Sequence, residues 1–186
     1  TTISASGQNI TLDEAASTFG TLALTGANVA VTDAGATDLG ASTVSGTLGI
    51  TSGGAITDSG VLDIGGNVDF ITTAANGSVD LDEASDVDGA LTVTTDGTGT
   101  TSVTNLTGSI ELGTITTAGL TIDARGITQT GVLTVSGTSS FSSGANAITL
   151  DQANDFSGAV SLSNSGANNV IIDDANDLVL GTVSIA

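Results

Sequence analysis

Five acidic residues near the C-terminal end of the chain have the residue type and spacing that a cation site requires. Aligning the segment "LDQANDF" with the later segment "IDDANDL" places Asp151 beside Asp173 and Asp155 beside Asp177, with Asp174 alongside. Carboxylates on neighbouring strands repel one another, and Ca²⁺ would reverse that repulsion because it prefers hard oxygen ligands. These five residues are therefore candidate Ca²⁺ ligands. The alternative is a hydrated acidic edge, and no cofactor is required in either case.

Other residue types used in catalysis are scarce. The chain has no His, Cys, Trp or Tyr, and its single basic residue is Arg125. Ser and Thr are abundant, but no His or Lys is present to activate one of them as a nucleophile. A pair of carboxylates can hydrolyse a glycosidic bond, but such a site also needs aromatic or basic side chains to hold the sugar. We expect no enzymatic activity.

The charge balance excludes two classes of partner. Twenty acidic residues against one base give a net charge of −19, which repels nucleic acid and anionic membrane surfaces. No stretch of the sequence approaches the run of about 18 to 20 apolar residues that crosses a bilayer. We expect neither nucleic-acid binding nor membrane insertion.

A long internal repeat organises the chain. The segment "ITLDEAASTFGTLAL" at Ile10 returns as "SVDLDEASDVDGALTV" at Ser78 and as "ITLDQANDFSGAVSL" at Ile148. Its Leu-Asp pair begins at Leu12, Leu81 and Leu150, so that both intervals are 69 residues. The sequence predicts one continuous unit over residues 1–186, with superrepeats at about 1–70 and 71–141 and an incomplete third at 142–186.

Within each superrepeat, aliphatic residues alternate with small or polar ones. Pairs such as Ile10 and Leu12, Leu48 and Ile50, or Val160 and Leu162 have the period of two that is typical of a strand with one buried face. Clusters of Gly, Asn, Asp and Ser between the pairs are turn signals. No helical apolar stripe is sustained, so the sequence predicts an all-β fold.

The repeat favours a β-solenoid over a sandwich or barrel. In a solenoid each coil stacks on a copy of itself, and recurrence of sequence follows directly. The phrase around Leu12 returns at Val31, and the phrase around Leu150 returns at Ile172, which predicts about eight or nine coils of roughly 19 to 23 residues. With four Phe and no Met, Trp or Tyr, the core must be narrow.

The residues also resemble a known class of proteins. Phrases such as "ITQTGVLTVSGTSSFSSGANAITLDQANDFSGAVSL" are similar to the repeat regions of large bacterial surface exoproteins of the filamentous-haemagglutinin type, which are exported by two-partner secretion or as autotransporters. The resemblance covers nearly the whole chain. It implies a right-handed parallel β-helix, an extracellular or cell-surface location, and service as an adhesin shaft or fibre.

Two functions follow as expectations. The first is a structural shaft that stacks end to end, with itself or with neighbouring repeats, into a filament serving adhesion or surface and biofilm structure. The second is an adhesin module that binds a host glycan or protein. Binding hot spots are usually Trp, Tyr or Arg, so the composition favours the first. Ice binding through Thr is a lesser alternative, because Thr residues keep no single register in the sequence. A Ca²⁺-dependent solenoid is a further lesser alternative.

Overall fold

A computed structural model describes residues 1–104 and 106–186, and within them the chain forms strands and no helix. The strands are β1 (Thr2–Ser4), β2 (Ile10–Leu12), β3 (Ala23–Gly26), β4 (Val29–Asp33), β5 (Thr37–Leu39), β6 (Ser42–Val44), β7 (Leu48–Ser52), β8 (Ile56–Asp58), β9 (Leu62–Ile64), β10 (Val68–Thr72), β11 (Val79–Leu81), β12 (Asp86–Val87), β13 (Ala90–Thr94), β14 (Thr101–Val103), β15 (Ile110–Thr117), β16 (Leu120–Asp123), β17 (Ile127–Gln129), β18 (Leu133–Val135), β19 (Ser139–Ser142), β20 (Ile148–Phe156), β21 (Val160–Asn164), β22 (Val170–Asp174) and β23 (Leu180–Ile185). No helix long and apolar enough to cross a membrane occurs in these two ranges.

The strands stack in parallel, each on the strand one coil earlier. Val29 pairs with Leu48 and Leu48 with Val68, so one coil takes 19 or 20 residues at this point. The sheets run in the orders β1-β3-β6-β9-β12, β17-β20-β18-β15-β13-β10-β7-β4-β2 and β23-β21-β19-β16-β14-β11-β8-β5. The chain is a parallel β-solenoid of about nine coils, which confirms the predicted architecture.

Each coil has three strand positions, which we call the first, second and third faces. The third face is the eight-stranded sheet from β5 to β23. The first face consists of β3, β6, β9 and β12 in successive coils. The second face consists of β4, β7, β10 and β13 in the same coils. From β15 onward one long strand supplies both faces, because residues 110–112 pair with β17 and residues 115–117 pair with β18.

Aliphatic columns fill the interior. Alternate residues of each strand point inward, and the column through Val29, Leu48, Val68 and Leu91 is buried in every coil. Three phenylalanines provide the largest buried side chains, and the rings of Phe141 and Phe156 meet edge to face at 6.0 Å between centroids. Burial of such residues stabilises the fold by roughly 1.5 to 3 kcal/mol for each side chain.

The superrepeat does not contain a whole number of coils. Leu62 lies on the first face in β9, and its equivalent Leu133 lies on the second face in β18. Phe70 lies on the second face in β10, and its equivalent Phe141 lies on the third face in β19. One superrepeat therefore fills ten strand positions, three and one-third coils, and each copy begins one face further round than the copy before it.

A one-residue bulge at a Leu-Gly pair marks the same place in every copy. Leu91 pairs with Leu112 and Val93 with Ile115, so the later strand holds one extra residue beside Gly113. Val160 and Leu162 pair with Leu180 and Val183 in the same way, which places the third-copy bulge beside Gly181. A Cβ on Gly113 would lie 2.7 Å from Thr92 Oγ1, and one on Gly181 would lie 2.6 Å from Ser161 Oγ. Glycine leaves room here for the hydroxyl group of the coil beneath the bulge.

Glycines also stack directly on one another at the corners between faces. A Cβ on Gly66 would lie 2.8 Å from the carbonyl carbon of Gly46, and a Cβ on Gly89 would lie 2.4 Å from that of Gly66. These distances are shorter than van der Waals contact, so any side chain at Gly89 must push two coils apart.

We predict that Gly89→Ala lowers the free energy of unfolding by about 1 to 3 kcal/mol, the usual cost of overpacking. The matched control is Gly20→Ala, because a Cβ at Gly20 meets no atom within 4 Å. Thermal and urea unfolding should show a loss for the first variant and none for the second. Equal stabilities would contradict the corner packing described above.

Candidate functional site

The structure brings part of the predicted acidic cluster together at the last two coils. Leu150 pairs with Ile172, so the following residues Asp151 and Asp173 lie on neighbouring coils and are both exposed. The predicted pairing of Asp155 with Asp177 is wrong. The register shifts so that Asn154 lies opposite Asp174.

The register shift changes the partners of two candidate ligands. Asp155 accepts a hydrogen bond of 2.7 Å from the side-chain amide of Asn176. Asp174 is half-buried; its Oδ1 accepts a hydrogen bond from the backbone N–H of Phe156 at 3.2 Å, and its buried Oδ2 has no partner in the described chain. Within residues 1–104 and 106–186, no three acidic side chains form a group that could hold a metal ion. Ca²⁺ binding stays a prediction.

A second acidic position, which the sequence analysis did not single out, lies inside the solenoid. Asp58 ends β8 opposite Leu39 of the preceding coil, and its side chain is 8% exposed. The backbone N–H of Asp82 donates to its Oδ1 at 2.9 Å, and the Ser85 hydroxyl lies 3.5 Å from its Oδ2. Asp58 thus places a carboxyl group where neighbouring coils place aliphatic side chains.

Burial controls the ionisation of Asp58. It raises the pKa of this carboxyl above its ordinary value of 3.8, and the nearby charges of Asp82 and Glu83 act in the same direction. Hydrogen bonds from the backbone N–H groups of Asp82 and Glu83 oppose the shift. Because the folded state holds the proton more tightly than the unfolded state, the ionised carboxyl destabilises the fold as the pH rises above 3.8.

The next superrepeat builds the same corner with neutral groups. Gln129 is the equivalent of Asp58 and lies opposite Leu112. Its Nε2 donates to the Gly131 carbonyl at 2.6 Å and to Asn154 Oδ1, while Asn154 Nδ2 donates back to Gln129 Oε1 at 3.2 Å. Buried amides satisfy one another without a charge. The comparison of "ITD" at Ile56 with "ITQ" at Ile127 is the sequence signal that could have identified this buried position.

Hydroxyl groups align on the outside of the third face. Ser102, Thr121, Ser140 and Ser161 pair with one another in successive coils and point outward. A parallel column continues from Ser142 through Ser163 to Ser184. An open groove of about 360 Å³ lies along them, lined by Ser140, Ser161, Leu162, Ser163, Thr182 and Ser184. These columns mix Ser with Thr, so the shared register is one of hydroxyl groups and not of Thr alone.

We expect the hydrated-edge alternative to hold at the last two coils, so that millimolar Ca²⁺ raises the melting temperature no more than NaCl of equal ionic strength. The physical reason is that Asp155 is engaged by Asn176 and only Asp151 and Asp173 are exposed neighbours. Differential scanning calorimetry checks this. A Ca²⁺-specific rise that disappears in Asp173→Asn would instead establish the calcium site by mass action on the folded state.

Replacement of Asp58 should reveal the cost of the buried carboxylate. We predict that Asp58→Gln raises the melting temperature more at about pH 7 than at about pH 3, because a carboxyl whose pKa is raised by folding costs stability only as the pH rises above 3.8. The reciprocal variant Gln129→Glu is the matched control and should lower stability at about pH 7. A stabilisation by Asp58→Gln that is the same at both pH values would contradict this assignment.

The comparisons with known proteins give one family. The family model described as "Repeats of unknown function (DUF5649)" matches residues 26–94 and 98–163. No curated protein and no solved structure matches the chain. No match links it to the filamentous-haemagglutinin type or to autotransporter adhesins, so that resemblance stays a hypothesis.

The two matched segments correspond to the structural superrepeat. The first contains the ten strands β4 to β13, and the second contains β14 to β21, where β15 and β20 each fill two positions. The matches cover more than half of the chain. The protein therefore belongs to the family of repeats of unknown function (DUF5649), and one family repeat is ten strand positions of a β-solenoid.

Proposed function

We propose that the protein is a non-catalytic structural shaft of an extracellular bacterial fibre. The observation that carries the proposal is the continuous parallel pairing of the third face, in which eight strands from β5 to β23 follow one another in order. A load along the axis is then shared by backbone hydrogen bonds and aliphatic columns in every coil. Nine coils spaced at about 4.8 Å give a rod about 40 Å long.

The surface chemistry supports the same function. The outward side chains are mostly small, and the net charge of −19 opposes sideways association of one rod with another. The hydroxyl-lined groove has no basic or aromatic residue among the residues that line it. A shaft must remain dispersed from its neighbours, and the negative charge favours this.

Adhesion and surface location are part of the proposal. They rest on the resemblance to bacterial surface exoproteins. Antibody labelling of intact cells of the source organism, compared with permeabilised cells, tests the location. Labelling that requires permeabilisation would count against an extracellular shaft.

A glycan-binding module is the second candidate, favoured by the aligned hydroxyls of the third face. Ser140, Ser161 and Thr182 line a groove and can both donate and accept hydrogen bonds, as sugar hydroxyls do. A glycan array distinguishes the candidates. Reproducible binding that is lost in Ser161→Val, and kept in a variant of an exposed residue on the second face such as Ala30→Val, would favour the module over the shaft.

The shaft makes a quantitative prediction about length. In the superrepeat alignment, Ser163 corresponds to Thr94 and Thr94 corresponds to Thr25. Copies of residues 26–163 can therefore be joined head to tail without interrupting the repeat. Each copy holds twenty strand positions, or six and two-thirds coils. In negative-stain microscopy, polypeptides with two, three and four copies should lengthen by about 32 Å for each copy at constant width.

The matched control joins the same copies through a flexible Gly/Ser linker of about twenty residues, which interrupts the stack and should give separate short rods. Sedimentation velocity at low and high salt provides a second measurement. In-phase polypeptides that sediment as compact particles, or that thicken instead of lengthening, would refute the shaft.

A further inference from the structure

Three dipeptides in the sequence allow a backbone nitrogen to attack the side chain before it. They are the Asn-Gly pair Asn76–Gly77 and the Asp-Gly pairs Asp88–Gly89 and Asp96–Gly97. Glycine permits this attack because it has no side chain to hinder the nitrogen and its backbone dihedrals are free. The Asn or Asp side chain of each pair is exposed and lies between strands. The local geometry therefore decides which pair reacts.

Asp96 begins a four-residue turn between β13 and β14. The backbone N–H of Gly99 donates to the Asp96 carbonyl at 3.1 Å, and Gly97 has a φ of +61°. The N–H of Gly97 has no main-chain acceptor in the described chain, and it donates instead to Asp96 Oδ1 at 2.8 Å. The turn thus holds the glycine nitrogen against the carboxyl group that it would attack.

The Asn-Gly pair in the coil beneath has the opposite arrangement. Asn76 is the third residue of its turn, so the N–H of Gly77 closes that turn by donating to the Ala74 carbonyl at 2.9 Å. Asn76 Oδ1 accepts a hydrogen bond of 2.6 Å from the Thr98 hydroxyl, which holds the side chain against the next coil. Because the nitrogen and the side chain are both engaged elsewhere, the fold protects this pair.

Asp88–Gly89 places the same dipeptide as Asp96–Gly97 in a different setting. In the described chain, no hydrogen bond joins the Gly89 N–H to the Asp88 carboxylate. Gly89 also lies in a corner where its backbone is packed directly on that of Gly66. Close packing resists the backbone rotation that an attack requires. This pair is therefore an internal reference for the chemistry of the dipeptide alone.

We propose that Asp96–Gly97 is a modification site at which the folded protein converts aspartate to isoaspartate without an enzyme. The Gly97 nitrogen bonds to Cγ of the protonated Asp96 carboxyl, the bond from Cγ to the hydroxyl breaks, and the hydroxyl leaves with the amide proton as water. Water then adds to the α-carbonyl carbon of the cyclic imide. Its hydroxyl stays on that carbon, and its proton goes to the Gly97 nitrogen as the bond between them breaks. The main chain then runs through Asp96 Cβ and Cγ.

The product lengthens the main chain by one methylene group where the turn rests on the coil beneath. The Thr98 N–H donates to the Ala75 carbonyl oxygen at 3.2 Å, and a Cβ on Gly97 would overlap that oxygen. A longer backbone cannot keep this packing, so the contact between the two coils opens at this corner. Amide hydrogen exchange at Thr98 should therefore be faster in the modified protein, and unchanged exchange would contradict the opening. The inference is independent of the proposed function, because it concerns the chemical ageing of the fold.

Peptide mapping of the full chain after incubation in mildly acidic buffer tests the site. Electron-transfer fragmentation distinguishes isoaspartate from aspartate. In the folded protein, we expect isoaspartate to form at Asp96 at least about tenfold faster than at Asp88, because only Asp96 is held against its glycine nitrogen. In concentrated urea the two rates should converge. Equal rates in the folded protein, no isoaspartate at Asp96, or an equally large difference in urea would overturn the proposal.

The variant Asp96→Asn gives two turns the same Asn-Gly dipeptide. In the folded variant, position 96 should lose ammonia at least about tenfold faster than Asn76, and the two positions should react alike in urea. Asp96→Glu is the negative control, because its longer side chain must close a larger ring. It should remove the product at position 96 and leave the rate at Asp88 unchanged. Loss of ammonia that is as fast at Asn76 as at position 96 in the folded Asp96→Asn variant would refute the role of the turn.

Discussion

Parallel hydrogen bonding of each coil to the coil before it is the constraint on which the rest of the structure depends. Because neighbouring strands lie about 4.8 Å apart, the residue at each position must fit against its register partners in the coil above and in the coil below. Aliphatic residues tolerate this inside, where Val29, Leu48 and Val68 stack. Glycines tolerate it at the corners, where Gly46, Gly66 and Gly89 bring backbones into contact. Small residues dominate the composition for this reason.

Charge is the residue property that such stacking tolerates least, and Asp58 shows how the chain accommodates it. Its carboxyl occupies an inward position under the backbone N–H of Asp82, whereas the equivalent Gln129 is held by a second amide, that of Asn154. The same corner is therefore built once with an acid and once with amides. The amide version satisfies its polar atoms without a buried charge, and the acid version makes folding sensitive to pH.

The fold was predictable from the sequence because its signals are periodic. Alternation at Ile10 and Leu12 predicts strands, and the return of one phrase at Leu12, Leu81 and Leu150 predicts stacking.

The acidic cluster was predicted less well. Its alignment assumed equal spacing in two coils, whereas β20 places three residues between Leu150 and Asn154 and β22 places one between Ile172 and Asp174. Asp58 escaped notice because an acid in an alternating strand is normally read as outward. The hydroxyl columns escaped notice because Ser and Thr share them.

The superrepeat of three and one-third coils has a consequence for anything that approaches the rod from outside. In an array of such repeats, equivalent residues follow a helical path around the axis and move by one face per repeat. Three repeats complete one circuit in ten coils, about 48 Å. A flat surface alongside would meet only one repeat in three in the same orientation. Partners that recognise a single repeat would instead bind in three orientations around the axis. The shaft therefore presents the same binding pattern on all three faces.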